Sequence, residues 1–138
     1  MRGRPRLYVA VAAGGALGSV ARYLCSAAAL AFPGPAFPWG TLAVNTVGSF
    51  LIGFYATLTE PDGRVFATPA ARQFVVAGFC GGFTTFSVFS LESIRFLEAG
   101  APALAATYVM ASVALWLAAV WTGHRLARRM NRLKETPR

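Results

Sequence analysis

The chain has 138 residues, of which 56% are hydrophobic and 13% charged, and it carries a formal net charge of +8. This is the length of one domain, 1–138, and it is too apolar for a water-soluble domain of that size. A cationic total can signal nucleic acid, but here the basic residues cluster by position, which points to a membrane and to lipid headgroups rather than to nucleic acid.

Four apolar stretches lie at about 7–31, 40–59, 72–98 and 102–124. Each reaches the ~20 residues that a helix needs to cross a bilayer. The expected fold is an all-α integral membrane protein of four transmembrane helices. The first stretch imitates a secretion signal, with a basic start and the small residues Ala27, Ala28 and Ala29. Arg22 interrupts it and three more spans follow, so a retained first helix is the expectation. Gly14 and Gly18 have the GxxxG spacing that lets another helix approach closely. Arg22 is costly inside a span unless it pairs, snorkels or reaches water, and lining a vestibule is its functional reading. Cys25 and Cys80 lack any CxxC spacing and read as small packing residues.

The linker 32–39 contains Pro33, Pro35 and Pro38 and cannot be helical, while Phe37 and Trp39 suit the interfacial aromatic belt. The second span carries Asn45, Thr46 and Ser49 among apolar residues. Asn45 either bonds across to another helix or turns its N–H groups to an anion pathway. Glu60, Pro61, Asp62, Gly63 and Arg64 make a turn-rich loop.

The third span is the informative one. Glycines and β-branched threonines between Gly78 and Ser90 are poor helix formers, placed where a membrane helix is at mid-depth. The helix is expected to break over Gly81–Thr85, and backbone freed there must line a cavity or bind something. Phe86, Phe89, Glu92, Ser93 and Phe96 then recur at helical spacing. Glu92 and Arg95, three apart, are expected to pair with each other near the outer end. In the fourth span Tyr108 and Ser112 share a face, and His124 reads as a snorkelling residue beside Arg125.

Eleven of the thirteen basic residues fall before span one, between spans two and three, or after span four. The positive-inside rule therefore predicts a multi-pass plasma-membrane (inner-membrane) protein with both termini in the cytoplasm. Nothing forms an enzyme site: there is one His, no embedded acid pair and no phosphate loop. What remains suits a small ion. Carbonyls of Gly81 and Thr84 are hard acceptors for Na⁺, and the positive ring edges of Phe86 and Phe89 suit an anion. A small four-helix multidrug/proton antiporter-like exporter is the alternative, weakened because spans one, two and four carry no Asp or Glu.

Three motifs in order resemble the Fluc (CrcB-type) fluoride channels: Gly14-Gly15-x-x-Gly18-x-x-x-Arg22-Tyr23, then Gly40-Thr41-Leu42-x-x-Asn45-x-x-Gly48-x-Phe50-x-x-Gly53, then Gly78-Phe79-Cys80-Gly81-Gly82-x-Thr84-Thr85-Phe86-Ser87-x-Phe89-Ser90. The resemblance implies passive, selective fluoride export that limits toxicity. It implies a dimer of antiparallel four-helix subunits, each with its third helix broken mid-membrane, and two pores along the interface. It also implies a central, untransported structural Na⁺ on the carbonyls of Gly81 and Thr84. The fluoride pore maps to Asn45, Phe86, Phe89, Tyr108 and Ser112. Antiparallel homodimers favour a weak charge bias, whereas this chain's bias is strong. A heterodimer with an oppositely oriented homologue is therefore expected beside the homodimer.

Overall fold

The computed structural model describes residues 4–30 and 37–132. Residues 31–36, with Phe32, Pro33 and Pro35 of the expected linker, lie outside that range, as do the basic residues Arg2, Lys134 and Arg138. The described residues form helices without strands, and four helical stretches are long and apolar enough to cross a membrane. We number the helices α1 (Arg4–Leu30), α2 (Trp39–Leu58), α3 (residues 69–83), α4 (Phe86–Glu98) and α5 (Pro102–Arg132). The third stretch comprises α3 and α4 together.

Local sequence accounts for most of the boundaries. Thr68 caps α3 by accepting the Ala71 N–H at 3.2 Å, and Pro69 sits in the first turn, where its missing donor costs nothing. Helix α4 ends in a Schellman turn. Gly100 takes φ +71°, while the Ala101 and Gly100 N–H groups donate to the Phe96 and Leu97 carbonyls at 2.9 and 3.0 Å. Pro102 then opens α5.

Two helix pairs, both seamed by glycine, make the body of the molecule. In the first, α1 lies on α3: a Cβ on Gly14 would strike the Phe74 carbonyl oxygen, and one on Gly18 that of Phe79. Gly82 lies equally tight against the backbone of Gly15. The GxxxG spacing thus serves close packing, and its partner is α3. Along this seam Phe74–Cys80 is π-helical, a widened turn that the apolar sequence does not announce. In the second pair, Gly53 on α2 faces the Val120 backbone, and Gly123 on α5 faces that of Phe50. Small residues let backbones touch, and in lipid that dispersion contact is what holds helices together.

Helix α4 lies across α5, where Phe89, Tyr108 and Leu42 form a buried cluster flanked by Phe96 and Trp116. At the other end of the molecule His124 is tied inward. Its Nδ1 is 2.7 Å from the Thr57 hydroxyl, so the snorkelling expected of it is replaced by a cross-helix hydrogen bond. Asn131 donates to the Thr57 carbonyl at 2.9 Å and accepts from the Arg64 N–H at 2.8 Å, fastening the 59–68 loop to the end of α5. Cys80 is buried as a packing residue, whereas Cys25 is exposed.

Gly53→Ala drives a methyl into the Val120 backbone and should cost about 1–3 kcal/mol, read as a lowered unfolding midpoint in detergent. Gly15→Ala, whose Cβ meets nothing nearer than 3.9 Å, should unfold like the parent.

Candidate functional site

The site is built on two residues that leave helical geometry. Thr84 (φ −85°, ψ 159°) and Thr85 (φ −148°, ψ 121°) are extended, between the end of α3 and the start of α4. The expected interruption over Gly81–Thr85 is therefore shorter than its sequence suggests. Gly81 and Gly82 remain helical, because packing of α3 on α1 overrides their poor propensity. The extended pair still disrupts the backbone pattern, since an α-helix bonds each N–H to the carbonyl four residues back.

Three side chains repair it. Asn45, buried on α2, donates from Nδ2 to the Thr85 carbonyl at 2.9 Å and accepts the Thr85 N–H on Oδ1 at 2.7 Å. One amide thus matches both backbone groups of one residue, as a strand neighbour would. Arg22, reaching from α1, donates Nε to the Gly82 carbonyl at 3.1 Å and caps the end of α3. The Thr85 hydroxyl accepts the Val88 N–H at 3.2 Å and caps the start of α4. Gly48 admits the interruption against α2, since a Cβ there would overlap the Thr84 methyl.

This arrangement leaves specific groups unspent. In a continuous helix the Thr85 N–H would bond the Gly81 carbonyl; here it is turned to Asn45. Asn45 uses one of its two amide N–H donors on Thr85 and keeps the other. A cavity of about 200 Å³ opens beside these groups, lined by Asn45, Ser49, Thr84, Thr85, Phe86 and Trp116, among others.

A second polar knot lies farther along α4. Glu92 accepts from the Thr41 hydroxyl at 2.8 Å and from the Tyr108 hydroxyl at 2.7 Å. The expected Glu92–Arg95 pair does not form, because Arg95 is on the exposed side of α4 while Glu92 turns toward α2 and α5. The bond between Thr41 and Glu92 is not legible in helical spacing, which names Thr41 only within a motif and pairs Glu92 with Arg95. The available signal was a carboxylate set well inside an apolar span, which must find donors, with Thr41 one turn before Asn45.

The two phenylalanines are placed differently. Phe89 is 5% exposed, with its ring 5.2 Å from Tyr108 and 4.9 Å from Trp116, whereas Phe86 is 72% exposed and borders the cavity. Their centroids are 5.6 Å apart. Tyr108 and Ser112 are fully buried on one face of α5. Gly81 sits on the open side of α3, where a Cβ would meet nothing within 4 Å. The hydroxyls of Ser90 and Ser93 are turned back onto the Phe86 and Phe89 carbonyls at 2.9 and 2.8 Å.

The family described as CrcB-like protein, Camphor Resistance (CrcB), matches residues 9–124, a segment that holds every residue of this site. The chain belongs to the CrcB-like family. Two relatives, each named "Fluoride-specific ion channel FluC 1", match it closely. One, from Rhodopseudomonas palustris, is 52% identical over 136 residues, covering 99% of this chain and 96% of its own. The other, from Bradyrhizobium diazoefficiens, is 53% identical over 130 residues, covering 94% and 90%. A "Fluoride-specific ion channel FluC" from Rhodospirillum rubrum is 51% identical over 117 residues, covering 85% of this chain and 91% of its own.

In this CrcB-family chain the Asn45 amide is the strongest structural commitment. Asn45→Ala leaves two backbone groups of Thr85 without partners, at about 1–3 kcal/mol each. Amide hydrogen exchange at Thr85 should accelerate by an order of magnitude or more, with exchange in α2 above Gly53 little changed.

Proposed function

We infer that this protein is a fluoride-selective membrane channel that passively exports fluoride from the cytoplasm. The observation that carries the reading is near-complete coverage, at about half identity, of relatives that bear that name. The site chemistry supports it. Fluoride enters a membrane only if its tightly held water is replaced by other donors, and this chain supplies amide, hydroxyl and ring-edge groups. No enzyme chemistry is involved. In a negative-inside cell the potential drives the anion outward, by about 2.3 kcal/mol per 100 mV.

The pore is proposed to pass the free N–H of Asn45 and the edges of Phe86 and Phe89, then Tyr108 and Ser112. Arg22 holds the end of α3 through Nε, and its guanidinium edge gives an electropositive wall to a vestibule. The working unit is proposed to be an antiparallel dimer with a third helix broken at mid-membrane in each subunit. Gly81, glycine on an open face of α3, supports this, since nothing within the protomer requires a small residue there. Na⁺ fits the same place. Carbonyl oxygens suit a hard cation, and the Gly81 carbonyl has lost its usual helical donor. Gly81 and Thr84 would hold it, and the ion would tie the two interruptions together. Among the described residues no His, Cys, Asp and Glu cluster offers a competing metal site.

Reconstituted protein should release fluoride from liposomes far faster than chloride, and should lose that flux when Na⁺ is removed. Absence of fluoride flux rejects the reading. Phe86→Ile and Phe89→Ile should each abolish conduction while the protein still elutes as a dimer. The charge bias further predicts a subunit inserted mainly with both ends in the cytoplasm, paired with an oppositely oriented homologue. Equal labelling of the C-terminus from both sides of native membranes would contradict that pairing.

A further inference from the structure

Two donors on α5 are buried without a partner. Among the described residues, the Ser112 hydroxyl and the Trp116 indole N–H are the side-chain polar atoms shut away from solvent and left unbonded. They are four residues apart, so they lie one turn from each other on one face of α5. Tyr108, one turn earlier on that face, has spent its hydroxyl on Glu92.

The contrast with neighbouring hydroxyls is informative. Thr46, Ser90, Ser93 and Thr107 each donate to the carbonyl one turn back, at 2.7 to 2.9 Å, which is the ordinary fate of a hydroxyl in a lipid-bound helix. Ser112 does not. An indole has even less freedom, because it donates one hydrogen bond and accepts none. Leaving either group dry costs free energy that a natural interior avoids. Trp116 also borders the cavity shared by Asn45, Thr84, Thr85 and Phe86, and its ring meets Phe89 at 70°.

We propose that Trp116, with Ser112, is a station for a small anion, in which the indole N–H is the donor that selects fluoride. This rests on the channel reading. Two unpartnered buried donors one turn apart on one face of α5, an N–H and an O–H, with the Glu92 carboxylate already engaged by Thr41 and Tyr108, favour a small acceptor without a positive charge. Trp116 thereby extends the donor row from the cavity to the fully buried Ser112. The T-shaped contact with Phe89 fixes the indole plane, so the donor does not have to be ordered when the ion arrives.

Trp116→Phe keeps an aromatic ring against Phe89 and removes only the donor. Fluoride efflux from proteoliposomes should fall about tenfold or more, the effect of losing one hydrogen bond to a charged group. Trp121→Phe, exposed and stacked under Arg125, should conduct like the parent. A second measurement does not depend on that variant folding. In a Trp39→Phe, Trp121→Phe background Trp116 is the one tryptophan, and its emission under indole-selective excitation should shift saturably with fluoride and stay unmoved by chloride. Parent-like flux in Trp116→Phe, or emission that responds to neither anion (a site holding water only), overturns the proposal. A parent protein that passes no fluoride overturns the channel reading instead, so the two failures are distinct.

Discussion

The structure depends on how a membrane protein can leave two residues out of a helix. In hydrocarbon every unpaired N–H or carbonyl costs several kcal/mol, and the extended pair Thr84–Thr85 would expose several. Asn45 makes the interruption tolerable by presenting one acceptor and one donor to the two backbone groups of Thr85. Arg22 closes the end of one helix and the Thr85 hydroxyl opens the next. Remove that matching and the third stretch has a reason to become one continuous helix, with the Thr85 N–H returned to the Gly81 carbonyl.

The glycine seams serve the same end. Arg22 reaches the Gly82 carbonyl because Gly14, Gly18 and Gly82 bring α1 and α3 into backbone contact. Asn45 reaches Thr85 because Gly48 leaves room for the Thr84 methyl. Both are long-range hydrogen bonds whose lengths are set by the absence of a Cβ. Their rigidity has a functional counterpart. A site that must replace the water of a small anion works best if its donors are already held in place, since reordering them would consume the binding energy.

Glu92 shows how an embedded charge is managed. Helical spacing suggests Arg95 as its partner, but three residues leave the two about 60° apart around α4, and Glu92 faces inward while Arg95 is exposed. Two hydroxyl donors, from Thr41 and Tyr108, satisfy it instead. They cost less desolvation than burying a guanidinium would, and they fix Tyr108 within the aromatic cluster. Sequence spacing identifies which residues on a helix can meet; it does not tell which side of the helix another chain segment will cover.

By itself the sequence determined that there are four helices of spanning length, that the third carries the irregular polar centre, and that the neighbouring spans carry polar groups, Asn45, Tyr108 and Ser112 among them. Hydropathy, glycine spacing and turn residues are local properties, and a bilayer leaves the chain few alternatives. Only the tertiary structure decided that the interruption is confined to Thr84 and Thr85, that Phe74–Cys80 widens into a π-helix, and that Phe89 turns inward while Phe86 faces out. It also decided that Asn45 serves the backbone of Thr85 and that Trp116 is a buried donor without a partner. Those outcomes rest on which helix faces touch, and residues 40 or more apart along the chain meet only when glycine lets the backbones close.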